Sequence, residues 1–183
     1  MIPPVQAELP IVIAPMGAED LDRVLQIEVR SFTMPWTPEM FATQRDRLEK
    51  GEVFVARAAD GEPAGVIGYL CLWLAAGDAH IDNIAVDPAC RRRGVAGRLV
   101  RFAMEWARRH GARLLTLEVR STNHAAQALY RCFGFAVVGT RRNYYEKPRE
   151  DALIMTLMPI PAPDGAGIAG TTAPANRSPR TAG

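Results

Sequence analysis

Hydrophobic residues recur at helical spacing in four segments of the chain and form short β-rich runs in seven others. The predicted helices cover residues 18–32, a short segment from Pro38, 94–110 and 123–133. The predicted strands cover residues 11–16, 53–59, 63–74, 79–87, 114–119, 135–142 and 151–158. Two periodicities that follow one another in this way indicate an α/β domain.

Helix ends carry their own signals. Thr37 is a predicted N-cap with Pro38 at the first helical position, and Asn123 is the predicted cap of the last helix, which Gly134 ends. The helix over residues 94–110 has one apolar stripe, made of Val95, Leu99, Phe102, Ala103 and Trp106.

Connections between the predicted elements suggest the sheet. Ile81 to Val119 runs strand, helix, strand, and a crossover helix of this length makes its two strands parallel neighbours. The turn signal at residues 60–62 and the polar stretch 143–150 favour antiparallel hairpins. We therefore predict a three-layer α/β/α fold, with a mixed, twisted sheet of about six to seven strands and helices on both faces.

Length and composition set the domain limits. A chain of 183 residues with 48% hydrophobic and 23% charged residues suits one globular domain. Residues 159–183 are rich in Pro, Gly and Ala and lack the apolar surface that offsets ordering entropy. We expect a domain over residues 11–158, a flexible N-terminus over 1–10 and a disordered tail over 159–183.

Charge and special residues exclude several classes of protein. A net charge of +2 is too small to make nucleic acid the expected partner. The sequence shows neither a secretory signal nor a membrane-spanning run, and its three cysteines are scattered as in reduced proteins. Its histidines lack the spacing of metal ligands. We expect a cytoplasmic protein that contacts no membrane and binds no metal.

The densest positive charge, Arg91 to Arg93, stands directly before Gly94, Ala96 and Gly97. Small residues at a helix start expose N–H groups that bind phosphate, so this segment predicts a pyrophosphate-binding loop. A solvated turn and a nucleic-acid patch are the alternatives. The lysine of an ATP-binding loop is missing, and Ala96 and Leu99 replace two glycines of the dinucleotide motif.

The pattern that Arg91, Gly94 and Ala96 do satisfy is that of the GNAT acetyltransferases, which this chain resembles over residues of about 11 to 158. Within that family it is similar to the RimI type, which acetylates the N-terminal alanine of a small-subunit ribosomal protein. The stretches that carry the resemblance are "PWTPEMF", "NIAVDP", "RRRGVAGRL", "LEVRSTNHAAQALYRCFGF" and "RRNYYEKPREDALIM".

The resemblance implies a GNAT fold, acetyl-CoA as cosubstrate and a protein N-terminus as acceptor, and it assigns roles to individual residues. Glu118 would be the general base and Tyr130 the general acid, with Asp82 a rival base. Cosubstrate contacts would come from Ile84, Ala85, Val86, Arg92, Arg93, Gly94, Val95, Ala96, Gly97 and Asn123.

Each role has a structural alternative. Glu118 could pair with Arg120 or another arginine, Tyr130 could simply pack in the core, and Asn123 could only cap its helix.

The resemblance also implies two lips around the acceptor, one carrying Trp36 and the other Tyr144 and Tyr145. Their alternatives are a packed helix corner and a strand end. Acidic residues that could attract a basic acceptor are Glu28, Glu39, Glu150 and Asp151.

The sequence is compatible with more than one acceptor. A GNAT enzyme acting on lysine side chains or small amines is the first alternative to the N-terminal acetyltransferase. A module that binds CoA or associates with RNA without catalysis is the second, and the presence of both Glu118 and Tyr130 argues against it.

Overall fold

A computed structural model describes residues 10–46, 50–59 and 65–162. Its helices are α1 Leu21–Ser31, α2 Pro38–Asp46, α3 Val95–Arg109 and α4 His124–Cys132. Its strands are β1 Ile11–Pro15, β2 Lys50–Ala58, β3 Val66–Ala75, β4 Asp78–Val86, β5 Leu115–Arg120, β6 Ala136–Glu146 and β7 Arg149–Leu157. The turn predicted at residues 60–62, most of the predicted N-terminal segment and most of the predicted tail lie outside the described residues.

The described strands form one seven-stranded sheet in the order β1-β2-β3-β4-β5-β7-β6. β4 and β5, on either side of the crossover helix α3, are parallel. The other neighbouring pairs are antiparallel. The predicted mixed sheet and its parallel centre are therefore confirmed.

Helices cover both faces of the sheet, as predicted. One core cluster joins the stripe of α3, including Val95, Leu99 and Trp106, to the sheet and to Tyr130 of α4. A second cluster packs Val24 and Ile27 of α1 and Phe41 of α2 against the opposite face. Because β3 is covered on both sides, eight of its ten residues are buried.

The parallel pairing of β4 and β5 is short, and this shapes the molecule. The two strands pair only from Ala79–Ile81 to Leu115–Leu117. Beyond Ile81 the register of β4 against β3 shifts, so that Asn83 faces Cys71 and Asp82 is left over in a bulge. Past this point β4 and β5 part, and a wedge opens between Ile84–Val86 and the end of β5.

The β6–β7 hairpin is where the predicted elements are wrong. Residues 143–150 were expected to connect two short strands, but β6 continues to Glu146 and β7 begins at Arg149. Pairing of Glu146 with Arg149 leaves a turn of two residues, Lys147 and Pro148. A register shift between Arg141 and Tyr145 carries the extra residues, with Asn143 at φ +53° and its N–H bonded to Asp151 at 2.7 Å. Polar composition alone made this stretch look like a loop.

Packing continues slightly past the predicted end of the domain, since Ile160 still contacts the core cluster around α3. Within the described ranges, no helix is long and apolar enough to cross a membrane.

Candidate active site

The start of α3 has the geometry of an anion-binding loop. Gly94 is the N-cap residue and has φ +79°, a left-handed conformation that glycine adopts without strain. The first N–H groups of the helix that follow have no intrahelical partner and lie at the positive end of the helix dipole. Arg92 is also left-handed, at φ +62°, so two close backbone reversals bring the chain into the helix.

The three arginines before Gly94 differ in their surroundings. Arg91 is used within the protein, donating to the Val86 carbonyl and to the Ser31 hydroxyl, each at 3.2 Å. Arg92 is exposed and Arg93 is half-buried. The predicted pyrophosphate contacts from Arg92 and Arg93 therefore remain compatible with the structure, and Arg91 serves to fix the loop.

Asp87 anchors the same loop from below. Its buried carboxylate accepts from Arg23 at 2.5 Å, from Arg30 at 3.2 Å and from the Ala89 N–H at 2.9 Å. Burial alone would raise the pKa of Asp87, but these bonds and the two guanidinium groups hold it below its usual range. The loop thus has a fixed charge network independent of any ligand.

The wedge and the loop together fit a cosubstrate with a pantetheine arm and a pyrophosphate. One edge of Ile84–Val86 is paired to β3, and the other edge lies beyond the end of the β5 ladder. Backbone groups there are suited to an extended amide-bearing chain. At Gly97 an added Cβ would meet Phe133 at 3.7 Å, so packing within the protein does not demand glycine at this position.

Glu118 lies on β5 at the mouth of the wedge. One carboxylate oxygen is 2.9 Å from His80 Nε2 and the other is 3.2 Å from Arg141 Nη2. Burial raises the pKa of Glu118, but the His80 hydrogen bond and the His80 and Arg141 charges outweigh it, and the net pKa is lowered. Glu118 therefore does pair with an arginine, as the structural alternative to a base role predicted. The arginine is Arg141, because Arg120 is bonded to Glu150.

His80 is the residue that sequence reasoning missed. It is buried on β4, its ring lies 4.8 Å from that of Trp73, and its register partner is Thr116 of β5. Glu118 is two residues beyond Thr116 and so shares its face of the sheet. Only the parallel register of β4 and β5 reveals this neighbourhood, and the sequence predicts the pairing without its register.

Asp82, the rival base, is carried by the β4 bulge. Its carboxylate is 4.0 Å from His80 Nε2, whereas that of Glu118 is 2.9 Å away. Asp82 is more exposed than Glu118, at 28% against 10% of the side chain. The structure brings both carboxylates to one histidine and gives Glu118 the shorter contact.

Tyr130 is buried on α4, with its ring 5.7 Å from that of Phe135. Burial, and secondarily Tyr145, raise the pKa of Tyr130. Burial and Tyr144 raise the pKa of Tyr145 to about 12, and the Glu118 charge adds to this. The Tyr130 phenol therefore keeps its proton at neutral pH, because its pKa is raised.

The predicted lip at Tyr144 and Tyr145 is organised by arginines. The two rings meet edge-on at 5.1 Å, Arg120 lies 4.1 Å over Tyr145, and Arg141 lies 5.5 Å over Tyr144. Tyr144 is exposed, while Tyr145 is half-buried. Because Arg141 also contacts Glu118, this lip is tied directly to the candidate base.

The opposite lip is the loop between α1 and α2. Trp36 packs edge-on against Phe41 at 5.2 Å, as its structural alternative expected. It also borders a cavity of about 90 Å³, whose lining residues are Trp36, Met40, Thr43, Gln44 and Asp82. The Thr33 hydroxyl donates to the Lys147 carbonyl at 2.5 Å, so the two lips touch.

The acidic residues considered for attracting a basic acceptor differ in their exposure and in their hydrogen-bond partners. Glu28 is buried, and Glu150 is bonded to Arg120, Ser121 and Thr122. Asp151 holds the Asn143 N–H. Glu39 is exposed, at the start of α2.

Asn123 does cap α4, since its side chain accepts from the Ala126 N–H at 3.1 Å. It is exposed, which leaves its predicted cosubstrate contact compatible with the capping role. Among the residues the structure describes, no group of three or more His, Cys, Asp and Glu side chains could hold a metal ion.

Known proteins with similar sequences and folds agree on one family. The model of the acetyltransferase (GNAT) family matches residues 21–135. A Bacillus subtilis (strain 168) protein named "Putative ribosomal protein bS18-alanine N-acetyltransferase" is 43% identical over 141 residues, which cover 76% of this chain and 90% of that protein. The N-alpha-acetyltransferase RimI of Mycobacterium tuberculosis (strain ATCC 25618 / H37Rv) is 34% identical, over 80% of this chain and 91% of its own.

The fold comparison gives the same result. The crystal structure of the ribosomal-protein-S18-alanine N-acetyltransferase from Escherichia coli superposes with a TM-score of 0.72 at 31% identity, covering 85% of this chain and 98% of the other. The sheet that parts between β4 and β5, the loop before α3 and these matches lead to one conclusion: the chain belongs to the GNAT family of acetyltransferases.

Proposed function

We propose that this acetyltransferase moves the acetyl group of acetyl-CoA directly onto the α-amino group of a protein N-terminus beginning with alanine, with ribosomal protein bS18 as the acceptor. The names of relatives at 34–43% identity over most of the chain support this acceptor. A ribosomal acceptor would be met in the cytoplasm.

The observation that supports the chemistry most is the Glu118 carboxylate, held at the mouth of the wedge by His80 and Arg141. A carboxylate with a lowered pKa is ionised at neutral pH and is a modest base. An α-amino group has a pKa of about 7.7–8.0, so roughly a tenth to a sixth of it is already neutral at pH 7. A lysine, with a pKa of about 10.4, would need a much stronger base.

The proton transfers follow from these two residues. Glu118 takes a proton from the α-ammonium group, directly or through a water, and frees the nitrogen lone pair to form the new amide bond. The carbon–sulfur bond of the thioester breaks, and Tyr130 gives its proton to the departing sulfur. The attacking nitrogen loses its second proton as the amide forms, and that proton returns to the Tyr130 oxygen, directly or through a water. The raised pKa of Tyr130 keeps that proton available throughout the neutral range.

Binding of the cosubstrate falls to the wedge and the loop. The backbone of Ile84, Ala85 and Val86 would bond the pantetheine amides, and Arg92 to Gly97 would hold the pyrophosphate through N–H groups and charge. Asn123 would contact the cosubstrate while capping α4. The acceptor would enter between Trp36 on one lip and Tyr144 and Tyr145 on the other.

The test is acetylation of matched peptides. One peptide begins Ala-Arg with a free N-terminus and lacks lysine; its counterpart has a blocked N-terminus and an internal lysine. We expect mass spectrometry to find acetyl only on the free N-terminus. Modification of the blocked, lysine-bearing peptide at a similar rate would instead assign the enzyme to lysine side chains.

A further inference from the structure

Glu28 of α1 is a buried carboxylate that the proposed chemistry does not use. It is 1% exposed and lies on the face of α1 that packs against the sheet, near the end of the helix. A lone carboxylate in such a place is costly, and an apolar side chain of the same size would fill the space without that cost. A carboxylate at this position is therefore expected to have hydrogen-bond donors around it.

Three donors from three different elements converge on Glu28. The Trp36 N–H, from the loop between α1 and α2, donates to Oε1 at 2.8 Å. The Asn83 amide, from β4, lies 3.3 Å from each carboxylate oxygen, and the Tyr69 hydroxyl, from β3, donates to Oε2. Burial raises the pKa of Glu28, and the bonds from Trp36 and Asn83 oppose that rise.

Two of these partners belong to different parts of the candidate site, Trp36 to the acceptor loop and Asn83 to β4. Asn83 stands between Asp82 of the bulge and Ile84 of the strand that borders the wedge. Trp36 forms the acceptor lip and borders the same cavity as Asp82. Glu28 is thus a two-sided hydrogen-bond bridge between the acceptor loop and β4.

We propose that Glu28 is a positioning residue, which fixes the acceptor loop at Trp36 against the cosubstrate strand at Asn83. The inference rests on the proposed function, since it assumes that the acceptor enters beside Trp36. The loop is held by individual contacts, such as that of Thr33 with the Lys147 carbonyl and that of Trp36 with Phe41. β4 is held independently by its ladder with β3. Loss of the bridge should therefore displace the loop and leave the strand in place.

Glu28→Gln tests this with a change that preserves size. The Trp36 N–H can only donate, so it keeps the single carboxamide oxygen. The Tyr69 bond then survives only if the hydroxyl reverses and accepts from the glutamine N–H₂, which weakens the bridge. We expect KM for the Ala-Arg peptide to rise about tenfold, the effect of losing about one such bond. The Kd of acetyl-CoA, measured by calorimetry, should stay within about twofold because the loop before α3 and β4 are unchanged.

Asp20→Asn is the matched control. Asp20 is also a buried carboxylate at an end of α1, where it accepts from the Gly17 N–H at 2.8 Å and from Arg57 at 2.7 Å. It makes the same chemical change away from the acceptor loop, so it should lower the melting temperature without raising the peptide KM. Asn83→Ala removes the bond at the other end of the bridge and should raise the peptide KM in the same way. It also serves as the test if Glu28→Gln does not fold.

The outcomes separate the two proposals. A peptide KM that is unchanged in both bridge variants, or that rises equally in Asp20→Asn, overturns the positioning role. An acetyl-CoA Kd that rises as much as the peptide KM also overturns it, because the defect would then lie in the strand. If the wild-type protein does not acetylate the free N-terminus at all, the proposed function fails first and the inference falls with it.

Discussion

His80 Nε2 lies 2.9 Å from Glu118 Oε2 and joins β4 to β5 just where their ladder ends. The contact fixes the candidate base at the mouth of the wedge, and it lowers the proton affinity of that base. Removing His80 should therefore change the pKa at which the Glu118 carboxyl group titrates.

His80→Phe keeps a ring beside Trp73 and removes the hydrogen bond to Glu118. Because that bond and the His80 charge lower the pKa of Glu118, we expect the pKa to rise in the variant. Arg141→Ala should raise it less, since Arg141 contributes the smaller effect. Carbon NMR titration of the labelled Glu118 carboxyl measures both shifts. An unmoved titration in His80→Phe would show that the contact does not tune the base.

Gly94→Asp tests the anion-binding loop. The substitution places a negative charge where the pyrophosphate should bind. It also forces a residue with a side chain into a left-handed backbone conformation, at φ +79°, which is strained. We expect acetyl-CoA affinity by calorimetry to fall about tenfold or more. Gly111→Asp is the matched control, because Gly111 also has a positive φ, of +70°, at the other end of α3 with open space around it. Equal losses in both variants would mean that strain, and not the ligand site, is responsible.

Tyr130→Phe removes the hydroxyl and keeps the ring packed against Phe135. Loss of a general acid typically costs about a hundredfold or more in rate, so kcat should fall by that order. The melting temperature should change little, because the apolar contacts remain. An intact kcat would return Tyr130 to a packing role.

Glu150 predicts an acid-dependent part of the stability. Hydrogen bonds from Thr122, through its side chain and its backbone N–H, and from Arg120 and Ser121 lower the pKa of Glu150 to about 2. The unfolded pKa is about 4.3, so the stabilisation is complete above that pH and is lost as pH falls towards 2. Urea unfolding of Glu150→Gln should show a deficit at neutral pH that shrinks over this window. A deficit that is independent of pH would contradict the assignment.

Much of the fold was predictable, because its signals are local. The apolar stripe from Val95 to Trp106, the cap at Asn123 and the crossover between β4 and β5 all follow from short-range patterns, as does the start of α2 at Pro38. The same is true of Gly94, which was predicted at the start of the crossover helix and is its N-cap residue.

What the sequence could not supply depends on register and on long-range contacts. His80 meets Glu118 only through the parallel register, and Arg120 turns to Glu150 instead of Glu118 because the β5–β7 pairing brings it there. The extension of β6 over residues 143–146 was missed because its bulge at Asn143 hides the alternation. Glu28 was considered as an acid that could attract a basic acceptor, yet it is buried and bonded to the acceptor loop.

If Glu118 removes a proton from an α-amino group, Glu118→Gln should change the pH dependence of kcat/KM on a peptide that begins Ala-Arg. Near pH 7 most of the α-amine is protonated, whereas near pH 9 most of it is neutral without a base, given its pKa of about 7.7–8.0. We expect kcat/KM of the variant to show a large deficit between about pH 6.5 and 7 that closes substantially towards about pH 9. A deficit of constant size across that range would contradict it, because Glu118 would then hold geometry without moving a proton.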